Sequence, residues 1–230
     1  MASGWEQLDY ALRHGLNRIY LWGPPGLGKT FAARMALNER GAKHRVYDLT
    51  VSDDITVQEL CGMWVPKGTR FDFHEGPVLD ALKAGQLVVN ELARASGAVL
   101  DFFLAVLDHP SYVTLPTREI VNGHDDFTAI ATSNSPISDL TEALADRFDA
   151  DIFVNGPAPG FIDHLNEQLP TLGRLVARSW NEGRSPVSPR RALAFAKAVT
   201  EGGNEAKMAK IIFGSLGSMF LEQLQVERVV

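Results

Sequence analysis

Residues Gly23 to Thr30 read GPPGLGKT and satisfy the phosphate-loop template G-x-x-x-x-G-K-[ST] in full. Ile19, Tyr20, Leu21 and Trp22 before it form a short apolar run suited to a buried strand. Phe31 to Arg40 after it predicts a helix that stops at Gly41. Strand, glycine loop and helix are the order such a loop requires. Phosphate oxygens carry dense negative charge and are met best by backbone N–H groups at a helix N-terminus, where the helix dipole is positive. Gly23, Gly26 and Gly28 let the backbone come that close, Lys29 is placed to reach β- and γ-phosphates, and the Thr30 hydroxyl to ligate Mg²⁺. The candidate nucleotide contacts are Gly23, Pro24, Pro25, Gly26, Leu27, Gly28, Lys29, Thr30 and the adjoining Phe31. The competing reading is a plain Gly/Pro turn leading into a helix.

Outward from the loop, Arg45 to Thr50 predicts a second strand and Gln86 to Asn90 (QLVVN) a third with almost no polar interruption, as strands buried on both faces have. Phe127 to Thr132 and Ala150 to Asn155 give two more. Helical stretches lie between them, notably Pro77 to Ala84 and Ser96 to Asp108. Alternation of this kind implies an α/β fold with a mainly parallel five-stranded sheet covered on both sides, and together with the phosphate-loop motif the expected class is a P-loop NTPase αβα sandwich. Gly156 to Gly160 (GPAPG) ends the alternation, and the remainder predicts helices over Phe161 to Leu169, Thr171 to Asn181, Pro189 to Thr200 and Asn204 to about Val226. The expected organisation is a nucleotide-binding domain over residues 1–156 and a small all-helical lid domain over 157–230. Two hairpins are expected inside the first domain. Met63 to Val65 faces Phe71 to Phe73 across Pro66 to Arg70, and Tyr112 to Leu115 faces Arg118 to Val121 across Pro116 and Thr117.

The 230 residues carry a net charge of −6, which argues against nonspecific nucleic-acid binding, and the hairpins offer only Lys67, Arg70 and Arg118 as basic groups. A single cysteine, Cys61, permits no internal disulfide and fits a reducing compartment. MASGWEQLDY has neither the basic nor the apolar region of a signal peptide, and no run of about 18 apolar residues suggests a membrane span. A cytoplasmic location is expected. The six histidines, at positions 14, 44, 74, 109, 124 and 164, show no metal-ligand spacing. In the last predicted helix Met208, Ile212, Leu216, Met219, Phe220 and Leu224 fall at three- and four-residue spacing, as lid core or a subunit contact would. Gly214 and Gly217 in the same stretch suggest close helix packing.

What is done with the nucleotide depends on the tips of the other strands. The third strand ends in Asn90 and Glu91. A Glu here suits a general base that deprotonates an attacking water, or else caps the following loop. Asn90 occupies the position where an acidic residue usually holds Mg²⁺; its carbonyl oxygen can still accept from a metal-bound water, but it brings no charge to a hard cation. Weaker metal binding and slow hydrolysis are expected. Asn134, just past the fourth strand, is placed to hold the attacking water, or simply opens a turn before Pro136. Arg147 within LADRFD is either an arginine finger, worth about 10³ to 10⁵ in rate, or a partner of Asp146 or Asp149. Ser188, Pro189, Arg190 and Arg191 open a helix in the second domain.

GPPGLGKT, FHEGPVLDALKAG (Phe73 to Gly85), NELARAS (Asn90 to Ser96), LPTREI (Leu115 to Ile120), ATSNS (Ala131 to Ser135), ALADRFD (Ala143 to Asp149) and SPRRAL (Ser188 to Leu193) occur in an order that resembles the AAA+ ATPases, and within them the MoxR-like group. The resemblance spans roughly residues 8 to 200. It implies Walker A at Gly23 to Thr30, Walker B at Asn90 and Glu91 with Thr30 and Asn90 at the metal, sensor 1 at Asn134, the arginine finger at Arg147 and sensor 2 at Arg190 or its neighbour Arg191. ATP and Mg²⁺ are the implied cofactors. The implied assembly is a homo-oligomeric ring, normally a hexamer, that remodels or activates a client protein in the manner of a chaperone, with any von Willebrand A domain adaptor supplied separately. Two alternatives accompany it. One is a nucleotide-binding assembly module with weak or no hydrolysis, for which Asn90→Asp is expected to raise turnover; the other is a DNA-directed AAA+ motor or loader.

Overall fold

The computed structural model describes residues 3–40, 45–158, 160–181 and 187–229. The chain falls into two compact units, Met1–Pro24 with Lys29–Val154, and Pro25–Gly28 with Asn155–Val230. The first runs α1 (Gly4–Arg13), β1 (Arg18–Trp22), α2 (Lys29–Arg40), β2 (Val46–Thr50), α3 (Val57–Cys61), β3 (Gly62–Lys67), β4 (Arg70–Glu75), α4 (Pro77–Ala84), β5 (Gln86–Asn90), α5 (Gly97–Val106), β6 (Tyr112–Thr114), β7 (Ile120–Asn122), β8 (Thr128–Ser133), α6 (Glu142–Ala145) and β9 (Ala150–Phe153), with 3₁₀ turns at Leu92–Arg94 and Ile137–Asp139.

Five strands form one sheet in the order β2-β5-β8-β1-β9, and every neighbouring pair is parallel. This is the P-loop NTPase-like AAA fold: a parallel five-stranded sheet with flanking helices, followed by a helical region. The interior strands β5 and β8 are buried along their whole length, whereas β2 and β9 at the edges bury mainly Leu49 and Ile152. Parallel strands in the interior of a sheet are covered on both faces, which is why QLVVN carries no period-two alternation. Helix α2 packs on β5 and β8, and α4 on β2 and β5. The register pairs Asn90 with Thr132 and Trp22 with Ser133. The carboxyl ends of β5, β8 and β1 are therefore level, and Gly23, Glu91 and Asn134 all leave the same edge of the sheet, where open α/β sheets bind their ligands.

Several expectations are adjusted. Helix α2 begins at Lys29, two residues earlier than Phe31, so Lys29 and Thr30 sit in its first turn; the stop at Gly41 lies outside the described residues. Strand β8 takes in Ser133, and β9 ends at Phe153 rather than Asn155. Both hairpins form, with Trp64 opposite Phe73 and Val113 opposite Val121. The pairing of β3 with β4 runs on to Lys67 and Arg70, so the turn is only Gly68 and Thr69, with Gly68 at φ +63°. Helix α1 is additional: Ser3 accepts the Glu6 N–H and Glu6 accepts the Ser3 N–H, a reciprocal cap.

The second unit contains α7 (Phe161–Gln168), α8 (Pro170–Asn181), α9 (Pro189–Thr200), α10 (Glu205–Phe213) and α11 (Gly217–Val229). The single last helix expected from Asn204 to about Val226 is two helices. Gly214, at φ +62° and ψ −127°, adopts a backbone that side chains disfavour and breaks the helix. The turn back stacks Phe213 on Phe220 with ring centroids 4.1 Å apart, and Phe195 meets Phe220 edge-on at 5.0 Å. A Cβ on Gly217 would lie 2.7 Å from the Ala209 carbonyl oxygen, so this glycine does permit close approach of α11 to α10. The apolar stripe divides accordingly: Phe220 and Leu224 are buried, while Leu216 and Met219 are about half exposed. Among the described residues no helix is long and apolar enough to cross a membrane.

Candidate nucleotide-binding site

Backbone positions fix the loop. Gly23 leaves β1 with φ +150°, its N–H donating to the Ser133 carbonyl at 3.3 Å, and a Cβ there would lie 2.0 Å from the Val154 carbonyl oxygen. Gly26 and Gly28 also hold positive φ, at +83° and +89°. Within the second unit Leu27 is buried and its carbonyl accepts the Ala158 N–H at 3.0 Å. The first-turn N–H groups of α2 have no partner within their own helix.

Lys29 is buried, and its ammonium donates to the carbonyls of Gly23 at 2.7 Å and Pro24 at 2.9 Å and to Asn134 Oδ1 at 2.9 Å. Burial lowers its pKa to about 8, against a raising influence from the Glu91 carboxylate. Asn134 in turn donates its amide N–H groups to both Glu91 oxygens, at 3.0 and 3.1 Å. The turn carrying Asn134 is pinned from both sides: Tyr20 Oη donates to the Ser135 carbonyl at 3.0 Å, and the Ser135 N–H donates to Ser133 Oγ at 3.0 Å. Glu91 sits at φ +60°, ψ +35°. That left-handed conformation is disfavoured for a residue with a side chain by roughly 1–2 kcal/mol, and it turns the chain abruptly at the end of β5, where Arg94 N–H closes on the Glu91 carbonyl. Backbone strain of this kind clusters at active sites, ligand clamps and switch regions.

The second cluster centres on Asn90, which is buried. Its Oδ1 accepts the hydroxyls of Thr30 at 2.6 Å and Thr132 at 3.0 Å. Its Nδ2 donates to the Leu49 carbonyl at 3.2 Å and to the Asp48 carboxylate. Asp48 also pairs with Arg34 of α2 at 3.3 Å. Asp48, Arg34 and Thr132 were not among the residues singled out from sequence. A lone acid inside an otherwise apolar edge strand was the available signal.

Five of the expected residues, Lys29, Thr30, Asn90, Glu91 and Asn134, are thus gathered at one sheet edge. Arg147 stands apart from them, half-buried, with Asp108 at 3.6 Å and Asp146 at 3.7 Å; among the described residues no hydrogen bond or ion pair joins it to Lys29, Glu91 or Asn134. Phe31 is largely exposed on α2. Arg190 is exposed in the first turn of α9, in the second unit, with Pro189 at the helix start.

The donor set suits a nucleotide with a hard divalent cation. A buried ammonium stands at the start of α2 against the Gly23 carbonyl, and a hydroxyl and an amide oxygen lie 2.6 Å apart, oxygen donors of the kind Mg²⁺ prefers. Fold and site together define a P-loop NTPase-like protein. The AAA domain (dynein-related subfamily) pattern matches residues 18–148, more than half of the 230, and the chain belongs to that family. Among curated proteins none matches the chain. Of solved structures, NtrX from Brucella abortus superposes with a TM-score of 0.53 at 16% identity, over 99% of this chain and 68% of that one. A provisional ATPase from Cytophaga hutchinsonii gives 0.49 at 17% identity, over 90% of this chain and 87% of that one. At such identities the NtrX likeness shows the fold alone.

Proposed function

We propose that the chain is a ring-forming, MoxR-like AAA+ ATPase that binds ATP with Mg²⁺ and hydrolyses it to remodel or activate a client protein. The observation that carries this reading is the hydrogen-bonded series Lys29–Asn134–Glu91, which links the phosphate-loop cation to a strained carboxylate through one amide. In this reading Gly23 to Thr30, with Phe31, hold the nucleotide, and Lys29 exchanges carbonyl partners for phosphate oxygens. Glu91 takes the proton of the attacking water, which Asn134 orients. Thr30 and Asn90 would hold Mg²⁺, which would neutralise charge on the phosphates. Arg147 serves a neighbouring subunit's nucleotide as an arginine finger, and Arg190 or Arg191 is the sensor 2 arginine. A head-to-tail interface of this kind closes into a ring when its rotation allows, and the proposed ring has six subunits. The proposed adaptor carries a von Willebrand A domain. The buried Cys61, whose thiol burial pushes up in pKa, suits a cytoplasmic setting.

A second reading, a nucleotide-binding assembly module with little turnover, draws on the neutral Asn90. Steady-state ATP turnover beside native mass measurement separates the two. The proposal expects nucleotide-dependent oligomers that hydrolyse ATP, with turnover lost in Glu91→Gln and in Arg147→Ala while nucleotide binding persists. Oligomers without turnover favour the assembly module. Full turnover in both variants would sink the ATPase assignment of these residues.

A further inference from the structure

An asparagine at a metal position poses a problem that an aspartate does not. Its two terminal atoms are similar in size but opposite in chemistry, and only the oxygen can face a cation. Among the described residues nothing on the cation side of Asn90 selects the oxygen, because the Thr30 and Thr132 hydroxyls can each donate or accept. The other side does select. The Leu49 carbonyl at 3.2 Å and the Asp48 carboxylate only accept, so both require the amide nitrogen. With the amide reversed, Asn90 Oδ1 would face two acceptors and two hydrogen bonds would become repulsions. Asp48 is itself held: Arg34 of α2 engages its second oxygen at 3.3 Å, and its side chain is only about a quarter exposed, at 24%. The β2–β5 register, Thr50 beside Asn90 and Asp48 beside Val88, brings the two side chains together across adjacent strands.

We propose that Asp48 is a positioning residue that fixes the Asn90 carbonyl toward Thr30 and supplies, one hydrogen bond removed, the negative charge that Asn90 lacks. This rests on the reading of Thr30 and Asn90 as the Mg²⁺ position. A charged acceptor on the amide N–H draws electron density toward Oδ1 and makes it a better cation donor. The arrangement is the oxygen-ligand counterpart of carboxylates that orient metal-binding histidines, whose loss weakens metal affinity by about 10- to 100-fold. It also reverses the expectation drawn from sequence for Asn90→Asp. In that variant the new carboxylate meets Asp48 and the Leu49 carbonyl with no hydrogen to share, so the side chain is pushed from its place instead of completing the site. The charge can move only if the amide moves with it. In Asp48→Asn/Asn90→Asp the amide introduced at position 48 donates to the carboxylate introduced at position 90, that carboxylate still accepts from both threonines, and only the Leu49 carbonyl is left without a hydrogen to accept.

The test is the Mg²⁺ concentration needed for half-maximal binding of a non-hydrolysable ATP analogue, measured by titration calorimetry and independent of turnover. Asp48→Leu should raise that concentration about 10- to 100-fold. Asn90→Asp alone should do no better than the wild-type chain. The double variant Asp48→Asn/Asn90→Asp should recover the wild-type requirement or improve on it, a rescue that a merely structural Asp48 would not give. Thermal unfolding checks each variant for folding; if Asp48→Leu does not fold, the contrast between Asn90→Asp and the double variant decides. An unchanged Mg²⁺ requirement in Asp48→Leu, or tighter binding in Asn90→Asp alone, overturns the inference and leaves the ATP site standing. Wild-type binding that ignores Mg²⁺ overturns the metal position and this inference together.

Discussion

Lys29 is the residue whose removal has the most calculable consequence. Its ammonium is buried, and its pKa falls from 10.5 to about 8 because desolvation outweighs the nearby Glu91 carboxylate. A drop of that size means the charged form is disfavoured in the folded state by about 3 kcal/mol at 1.36 kcal/mol per unit. Lys29→Met removes this penalty and also the hydrogen bonds to Gly23, Pro24 and Asn134, each worth about 1.5 kcal/mol or more because the donor is charged. At pH 7 the lost bonds outweigh the relieved penalty, and the variant should be less stable than the wild-type chain by about 1–3 kcal/mol while losing triphosphate binding. The pH dependence is sharper. Below pH 8 Lys29 is protonated folded and unfolded, and stability is insensitive to it. Between about 8 and 10.5 the unfolded chain holds a proton that the folded chain has released, so wild-type stability rises with pH through that window. The stability gap between wild type and Lys29→Met should therefore move in favour of wild type by about 3 kcal/mol across it. Urea unfolding of both proteins without nucleotide, at matched ionic strength from pH 7 to 10.5, reads this directly. A gap that stays constant across the window would refute the claim that the fold holds a desolvated cation in readiness for phosphate.

Gly23→Ala places a Cβ 2.0 Å from the Val154 carbonyl at φ +150°; it should destabilise the chain by about 3 kcal/mol or more, checked by denaturant midpoint. Asn134→Ala removes the group shared by Lys29 and Glu91. Turnover should fall about 10²-fold with nucleotide affinity changed only a few-fold, measured by steady-state kinetics beside equilibrium binding.

The sheet was legible because its signals are local: an apolar run before GPPGLGKT, a second in QLVVN, and turns at PKGTR and around Pro116. The gathering of Lys29, Thr30, Asn90, Glu91 and Asn134 follows from strand tips being level, which a parallel order implies once the strands are found. What escaped was of two kinds. The Gly214 break is invisible to periodicity, since Met208, Ile212, Phe220 and Leu224 keep helical spacing on both sides of a three-residue turn and only the backbone angles reveal it. The Asp48–Asn90 pair joins residues 42 positions apart, and its existence depends on which strand neighbours which and in what register. The lone Asp in VYDLT was visible, but its partner was not. The cap of α1 is different again: Ser3 and Glu6, three residues apart, carry a local signal that is readable without the fold.

The central claim is that Glu91 is the general base of an ATP-hydrolysing site built on Lys29 and Asn134. Steady-state ATP turnover of wild type and Glu91→Gln, each with Mg²⁺ and with nucleotide affinity measured on the same preparations, tests it most directly. Measurable wild-type turnover, reduced at least about 10²-fold in Glu91→Gln with affinity preserved, is the predicted result; equal turnover in the two proteins, or none in the wild type despite tight Mg²⁺-dependent binding, would contradict it.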